Sequence, residues 1–212
     1  MVSFQDSQST KKCDFPPHDI WQETWASQLN RAHDTLVHMR EKLPGFNIYP
    51  TLGNHECFPE SLYYQPRADY KNLNMKTSEW WQLLFPIPPD QLENIQYSLY
   101  YTVLVKPGLR ILSFNSDYGY TINFYALLNH KTPAYYEQMK FMEETLHDAR
   151  ENNEKVILIG HVPPGDIGNT FLEYGDFFTD LVSAYSDVIV LTTFGHTHFD
   201  HFELVISTVK YW

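Results

Sequence analysis

Cysteine is nearly absent from these 212 residues: only Cys13 and Cys57 occur, too few for a disulfide framework. Each flanks a polar cluster, so the two either meet in space or remain unpaired thiols. Nowhere do about eighteen apolar residues run together, so no membrane-spanning helix is expected. Met1 to Lys12 is polar and lacks the apolar core of a signal peptide, so no secretory address is expected in the chain as written. Cations are scarce too, with 15 Lys and Arg against 26 Asp and Glu and a net charge of −11. Binding a phosphate backbone takes clustered Lys and Arg, so nucleic acid is not an expected partner.

What is present describes a globular protein. The chain is 43% hydrophobic and 19% charged, a balance that can close a core, and its length suits one sizeable domain. Aromatics are abundant, with 15 Tyr, 14 Phe and 5 Trp. They suit a large core, and residues such as Trp80, Trp81 and Phe85 suit either that core or a lipid-facing surface.

Residues 1–12 read as a disordered lead, and 13–212 as one partial domain. Asp19 is placed to cap a helix whose apolar stripe runs through Trp21, Trp25, Leu29, Ala32, Leu36 and Leu43 before Pro44-Gly45 stops it. Ile48 to Leu52 reads as a short strand. Residues 57–97 give no clear pattern, beyond a helical piece at Glu79 to Leu84 before the prolines at 86, 88 and 89. Leu99 to Val105 and Leu109 to Phe114 read as strands joined by Lys106-Pro107-Gly108. Residues 134–153 form an amphipathic helix, Val156 to Ile159 a fully buried strand, 171–186 a helix, Val188 to Leu191 a strand, and Phe202 to Ile206 another. Strands alternating with helices predict an α/β or layered α/β/α architecture, with a site at the carboxyl ends of the strands.

Three polar clusters fall at those ends: Gly53-Asn54-His55-Glu56, Gly160-His161, and Gly195-His196-Thr197-His198. Neutral imidazoles are the commonest metal ligands, and one intervening residue lets His196 and His198 face one centre from a turn. His161 is a third imidazole candidate or an ordinary loop histidine. Asn54 is either a ligand or a turn residue. His55 beside it is placed to act as a general acid, and Glu56 either orients a neighbour or faces water. Asp14 and His18, on spacing alone, read as capping and solvated residues.

Together these residues resemble the calcineurin-like metallophosphoesterase superfamily, and within it acid sphingomyelinase and its relatives. The resemblance rests on Asp14-Phe15-Pro16-Pro17-His18-Asp19-Ile20-Trp21, Tyr49-Pro50-Thr51-Leu52-Gly53-Asn54-His55-Glu56, Gly160-His161-Val162-Pro163-Pro164-Gly165 and Gly195-His196-Thr197-His198-Phe199-Asp200. It implies a layered α/β/α sandwich, incomplete here at both ends. It implies two zinc ions, with Asp14 bridging them, Asn54, His161 and His196 completing one site, and His198 reaching the other. It assigns His55 the proton for the leaving alkoxide and His18 a contact to the phosphate or help in that proton transfer. Paired cations about 3.5–4 Å apart polarise a phosphoryl group and activate a bridging water. The implied reaction is phosphodiester hydrolysis, with sphingomyelin cleaved to ceramide and phosphocholine, or a nucleotide phosphodiester as substrate. A phospholipid or small phosphodiester is the implied ligand, with peripheral membrane contact and a secreted or lysosomal address.

The sequence departs from that pattern in two places. The family's opening Asp-x-His, which supplies ligands to the first metal, does not precede Asp14. Cys13 stands where the family has glycine. One metal site therefore keeps a full set of ligands and the other keeps two, a loss that favours weak binding there and leaves a non-catalytic remnant as the rival reading.

Overall fold

The computed structural model describes residues 23–129, 132–165, 168–200 and 202–205. The proposed lead at 1–12, Cys13, Asp14, His18, the Asp19 cap and Ile206 lie outside the described residues.

Helix α1 spans Trp25–Lys42. Thr24 caps it: its hydroxyl accepts from Ser27 N at 3.3 Å, while Ser27 Oγ accepts from Thr24 N at 2.9 Å. This reciprocal pair satisfies donors that a helix start otherwise leaves orphaned. The expected stripe is buried at Leu29, Ala32 and Leu36. Leu43 then ends the helix, and Gly45 turns the chain at φ +80°, a region where glycine carries no Cβ penalty.

Two helices, α2 at Ala68–Trp81 and α3 at Pro89–Ser98, fill the stretch that the sequence leaves unclear. The helix ending in Trp81 is longer and starts earlier than the expected piece at 79–84. Pro89 opens α3 at its first turn, where the missing N–H costs nothing. The proline cluster is thus a helix start as well as a stop.

The sheet has four strands in the order β1-β2-β3-β4. Strand β1 is Tyr101–Lys106, β2 is Leu109–Ser113, β3 is Lys155–Ile159 and β4 is Ile189–Thr193. The first pair is antiparallel, turning at Pro107-Gly108 as expected; the others are parallel. Short α4 (Phe124–Asn129) and long α5 (Pro133–Glu151) lie between β2 and β3, and α6 (Leu172–Ala184) between β3 and β4. These are the crossovers that parallel neighbours require, so the expected α/β fold is present. The register sets Ser113 beside Ile159 and Ile159 beside Thr193. Three strands therefore end level, and their loops leave side by side.

Two expected strands do not form, and one is less buried than expected. Residues 48–52 join no ladder. Pro50 has no N–H to give, and its carbonyl is taken by side chains, from Tyr101 Oη at 2.8 Å and Ser113 Oγ at 3.1 Å. Residues 202–205 also stay outside the sheet, with Phe202 91% exposed. Strand β3 alternates rather than being buried throughout: Val156 and Leu158 are fully covered and Ile157 and Ile159 half-buried, the period-two pattern of a strand whose faces differ. Trp81 and Phe85 are core, packing on Tyr101 with ring centroids 5.7 and 5.1 Å apart. Trp80 is half-buried beside His33.

Candidate metal centre

The loops after β2, β3 and β4, together with the turn Asn54–Glu56, converge at the level strand ends. Gly160 at the end of β3 has no room for a side chain: a Cβ there would sit 2.7 Å from the Phe114 ring and 3.0 Å from Phe194. Those two rings pack against Gly160, the residue before His161. The hydroxyl of Ser116, after β2, accepts from His161 N at 3.1 Å and Val162 N at 2.8 Å. Gly195 N donates to His161 O at 3.0 Å, tying the β4 loop to the β3 loop. His196 and His198 both adopt left-handed backbone, φ 67° and 60°, a conformation costing a non-glycine residue about 1–2 kcal/mol. Paired outliers of this kind cluster at functional sites.

Three side-chain atoms meet at the centre. Asn54 Oδ1 lies 2.8 Å from His161 Nε2 and 3.1 Å from His196 Nδ1, and the two nitrogens are 3.3 Å apart. Bonds of about 2.0–2.1 Å to a zinc ion put neighbouring ligands about 2.9–3.4 Å apart, whether the shell is octahedral or tetrahedral. The triangle is therefore the size of one face of such a shell. The chemistry fits as well. The Asn54 amide nitrogen donates to Glu60 Oε1 at 2.9 Å and Ser61 Oγ at 3.0 Å, which fixes the amide with its oxygen toward the imidazoles. Burial pushes the His161 imidazole well below its ordinary pKa, and the neighbouring His196, His55 and His198 push the same way. A neutral imidazole keeps the lone pair that a metal needs.

The site thus brings Asn54, His161 and His196 together. His55 is buried beside them, with Nε2 3.5 Å from Glu60 Oε1. His198 is exposed. Among the described residues no group of three His, Cys, Asp or Glu is arranged to hold a metal; the converging set owes its third donor to an amide. Glu56 is buried, and its carboxylate accepts from Gly53 N at 2.8 Å and holds the turn. Cys57 is a free, buried thiol whose Sγ donates to Asp117 at 3.5 Å. Burial foremost, then the carboxylates of Asp117 and Glu56, raises that thiol well above its usual pKa.

Four residues outside the sequence-predicted set support the site. Ser116 braces His161, Glu60 and Ser61 hold the Asn54 amide, and Tyr120 packs its ring edge-on to His196 at 4.8 Å. Ser116 had a usable signal, since it follows a strand on the side where α/β sites form. Glu60 and Ser61 had none, because their role depends on a turn folding back on Asn54.

The calcineurin-like phosphoesterase family model matches residues 12–200. Sphingomyelin phosphodiesterase A of Dictyostelium discoideum is 35% identical over 194 residues, covering 90% of this chain and 32% of the relative. The sphingomyelin phosphodiesterase of Homo sapiens is 29% identical over 199 residues, covering 90% and 30%. A cyclic GMP-AMP phosphodiesterase of Homo sapiens is 29% identical over 206 residues, covering 93% and 44%. The chain spans between 30% and 44% of the length of these three relatives.

Proposed function

We propose, on the premise that the chain belongs to the calcineurin-like phosphoesterase family, that it is a metal-dependent phosphodiester hydrolase whose favoured substrate is sphingomyelin. The observation that carries this reading is the Asn54, His161 and His196 triangle at the ends of the parallel strands. These three would hold one zinc ion, with Asp14 as the carboxylate that completes the set and His198 serving a second ion. Such ions supply Lewis-acid polarisation of the phosphoryl group and a nucleophilic hydroxide at neutral pH.

The chain's own residues do the rest. Burial favours the neutral form of His161, the form whose imidazole can give a lone pair to a cation. Ser116 holds the backbone that carries it. His55 gives a proton to the departing oxygen, and Glu60 at 3.5 Å orients its ring. His18 contacts the phosphate or aids that transfer. The lipid reading draws on the names of the relatives and on α4. Tyr125 of that helix stacks on Tyr64 and bonds Arg67, whereas Phe124, Leu127 and Leu128 face outward, 55%, 58% and 83% exposed. Tyr120, which packs on His196, lies four residues before Phe124. The acyl chains of a lipid held at the centre would meet that outward apolar face, which fits peripheral contact with a bilayer. A secreted or lysosomal address is part of the same reading.

A cyclic dinucleotide is the second substrate class, favoured by the relative named for cyclic GMP-AMP. Phosphocholine release from sphingomyelin vesicles with added zinc, set against hydrolysis of a cyclic dinucleotide, separates them. Vesicle hydrolysis lost in His55→Ala is the expected outcome. Turnover of neither substrate, with zinc bound, makes the chain a non-catalytic remnant.

A further inference from the structure

The turn after Asn54–Glu56 folds back onto the residue it follows. Ser61 sits in left-handed backbone at φ 65°, and its N–H donates to the Asn54 carbonyl at 2.9 Å. That closure delivers Glu60 to the metal centre from behind. The Glu60 side chain is 11% exposed, and one oxygen, Oε1, serves two residues of the site. It accepts from Asn54 Nδ2 at 2.9 Å and lies 3.5 Å from His55 Nε2.

We propose that Glu60 is the positioning residue of this site, locking the Asn54 amide with its oxygen toward the metal and aligning His55 beside it. The proposal rests on reading the centre as zinc-binding. The physical case is one of donors and acceptors. An amide can rotate to show either its oxygen or its NH2 group, and only the oxygen can ligate a cation. An ionised carboxylate accepts and never donates, so it holds the NH2 end and repels the oxygen. Ser61 Oγ, 3.0 Å from the same nitrogen, cannot make that choice, because a hydroxyl both donates and accepts. Glutamine at position 60 could show either end too, and the orientation of Asn54 would no longer be set. Partners behind a metal ligand, when lost, cost about 10–100-fold in affinity.

Zinc affinity by chelator competition, with thermal unfolding of the zinc-free protein alongside, tests this on wild type, Glu60→Gln, Ser61→Ala and Asn54→Ala. Glu60→Gln should lose about 10–100-fold in zinc affinity with the zinc-free midpoint close to wild type, and Ser61→Ala should lose much less. Wild-type affinity in Glu60→Gln, with Asn54→Ala weakened, overturns the role of Glu60 and leaves the centre standing. Equal losses in Glu60→Gln and Ser61→Ala also overturn it. Zinc binding that is no weaker in Asn54→Ala than in wild type removes the centre itself. Where Glu60→Gln does not fold, NMR of the Asn54 side-chain amide in the zinc-free wild type decides: slow proton exchange and one fixed orientation are expected, and a freely rotating amide contradicts the proposal.

Discussion

Asn54 is engaged through its backbone carbonyl, its amide nitrogen and its amide oxygen alike. On the proposed reading, replacing it removes a metal ligand and disturbs a buried network together. Asn54→Ala should weaken zinc binding at least tenfold and also lower the stability of the zinc-free protein by about 1–3 kcal/mol, because buried partners lose their bonds. His196 differs: it is half-buried on a loop. His196→Ala should lose zinc to a similar degree, yet destabilise the zinc-free protein less than Asn54→Ala does, since its ring is only half-buried and alanine meets the same left-handed backbone. Paired titration and thermal melts on the two variants would check that contrast. Cys57 makes a different prediction. A thiolate is the reactive form, and burial beside Asp117 and Glu56 holds this thiol protonated. Iodoacetamide at neutral pH should leave Cys57 unmodified in the folded protein and label it after denaturation. Rapid labelling of the native state would place that side chain at the surface.

Helix ends account for both the readable and the unreadable parts of the fold. Helix α5 is bounded by Thr132, whose hydroxyl accepts from Tyr135 N at 3.3 Å, and by a closing turn in which Glu154 N bonds Ala149 O at 2.8 Å and Asn153 N bonds Arg150 O at 3.1 Å. Asn153 occupies the left-handed position of that turn at φ 56°. Asn153→Gly should leave stability equal or slightly higher, whereas Asn153→Val should cost about 1–2 kcal/mol, both readable by chemical denaturation. A signal of this local kind made α5, the β1–β2 hairpin and β3 legible in the sequence. Helix α3 was not, because Pro88 and Pro89 look like terminators unless the helix after them is already known. The 48–52 stretch failed for the opposite reason: its residues suit a strand, but Pro50 breaks the ladder and tertiary bonds from Tyr101 and Ser113 take its carbonyl. The site divides likewise. His161 and His196 announce themselves by following strands, while Glu60 and Tyr120 act through contacts that no spacing encodes.

At the scale of the whole molecule, the site depends on the sheet holding three loops level, and on α6 packing beneath them. Gly119, after β2, lies against the Tyr174 ring of α6. An added Cβ would fall 2.3 Å from Tyr174 Cδ1, and the ring is buried and cannot swing clear. Gly119→Ala should thus cost about 1–3 kcal/mol and, by shifting the loop that carries Ser116 and Tyr120, weaken the metal centre as well. Assembly of that centre is what the account stands on, and metal analysis addresses it most directly. The zinc content of the purified chain after exhaustive dialysis, compared with that of His196→Ala, should be at least one tightly held ion in the first and none in the second. Zinc retained equally by both, or by neither, would contradict the claim that Asn54, His161 and His196 gather around a common cation.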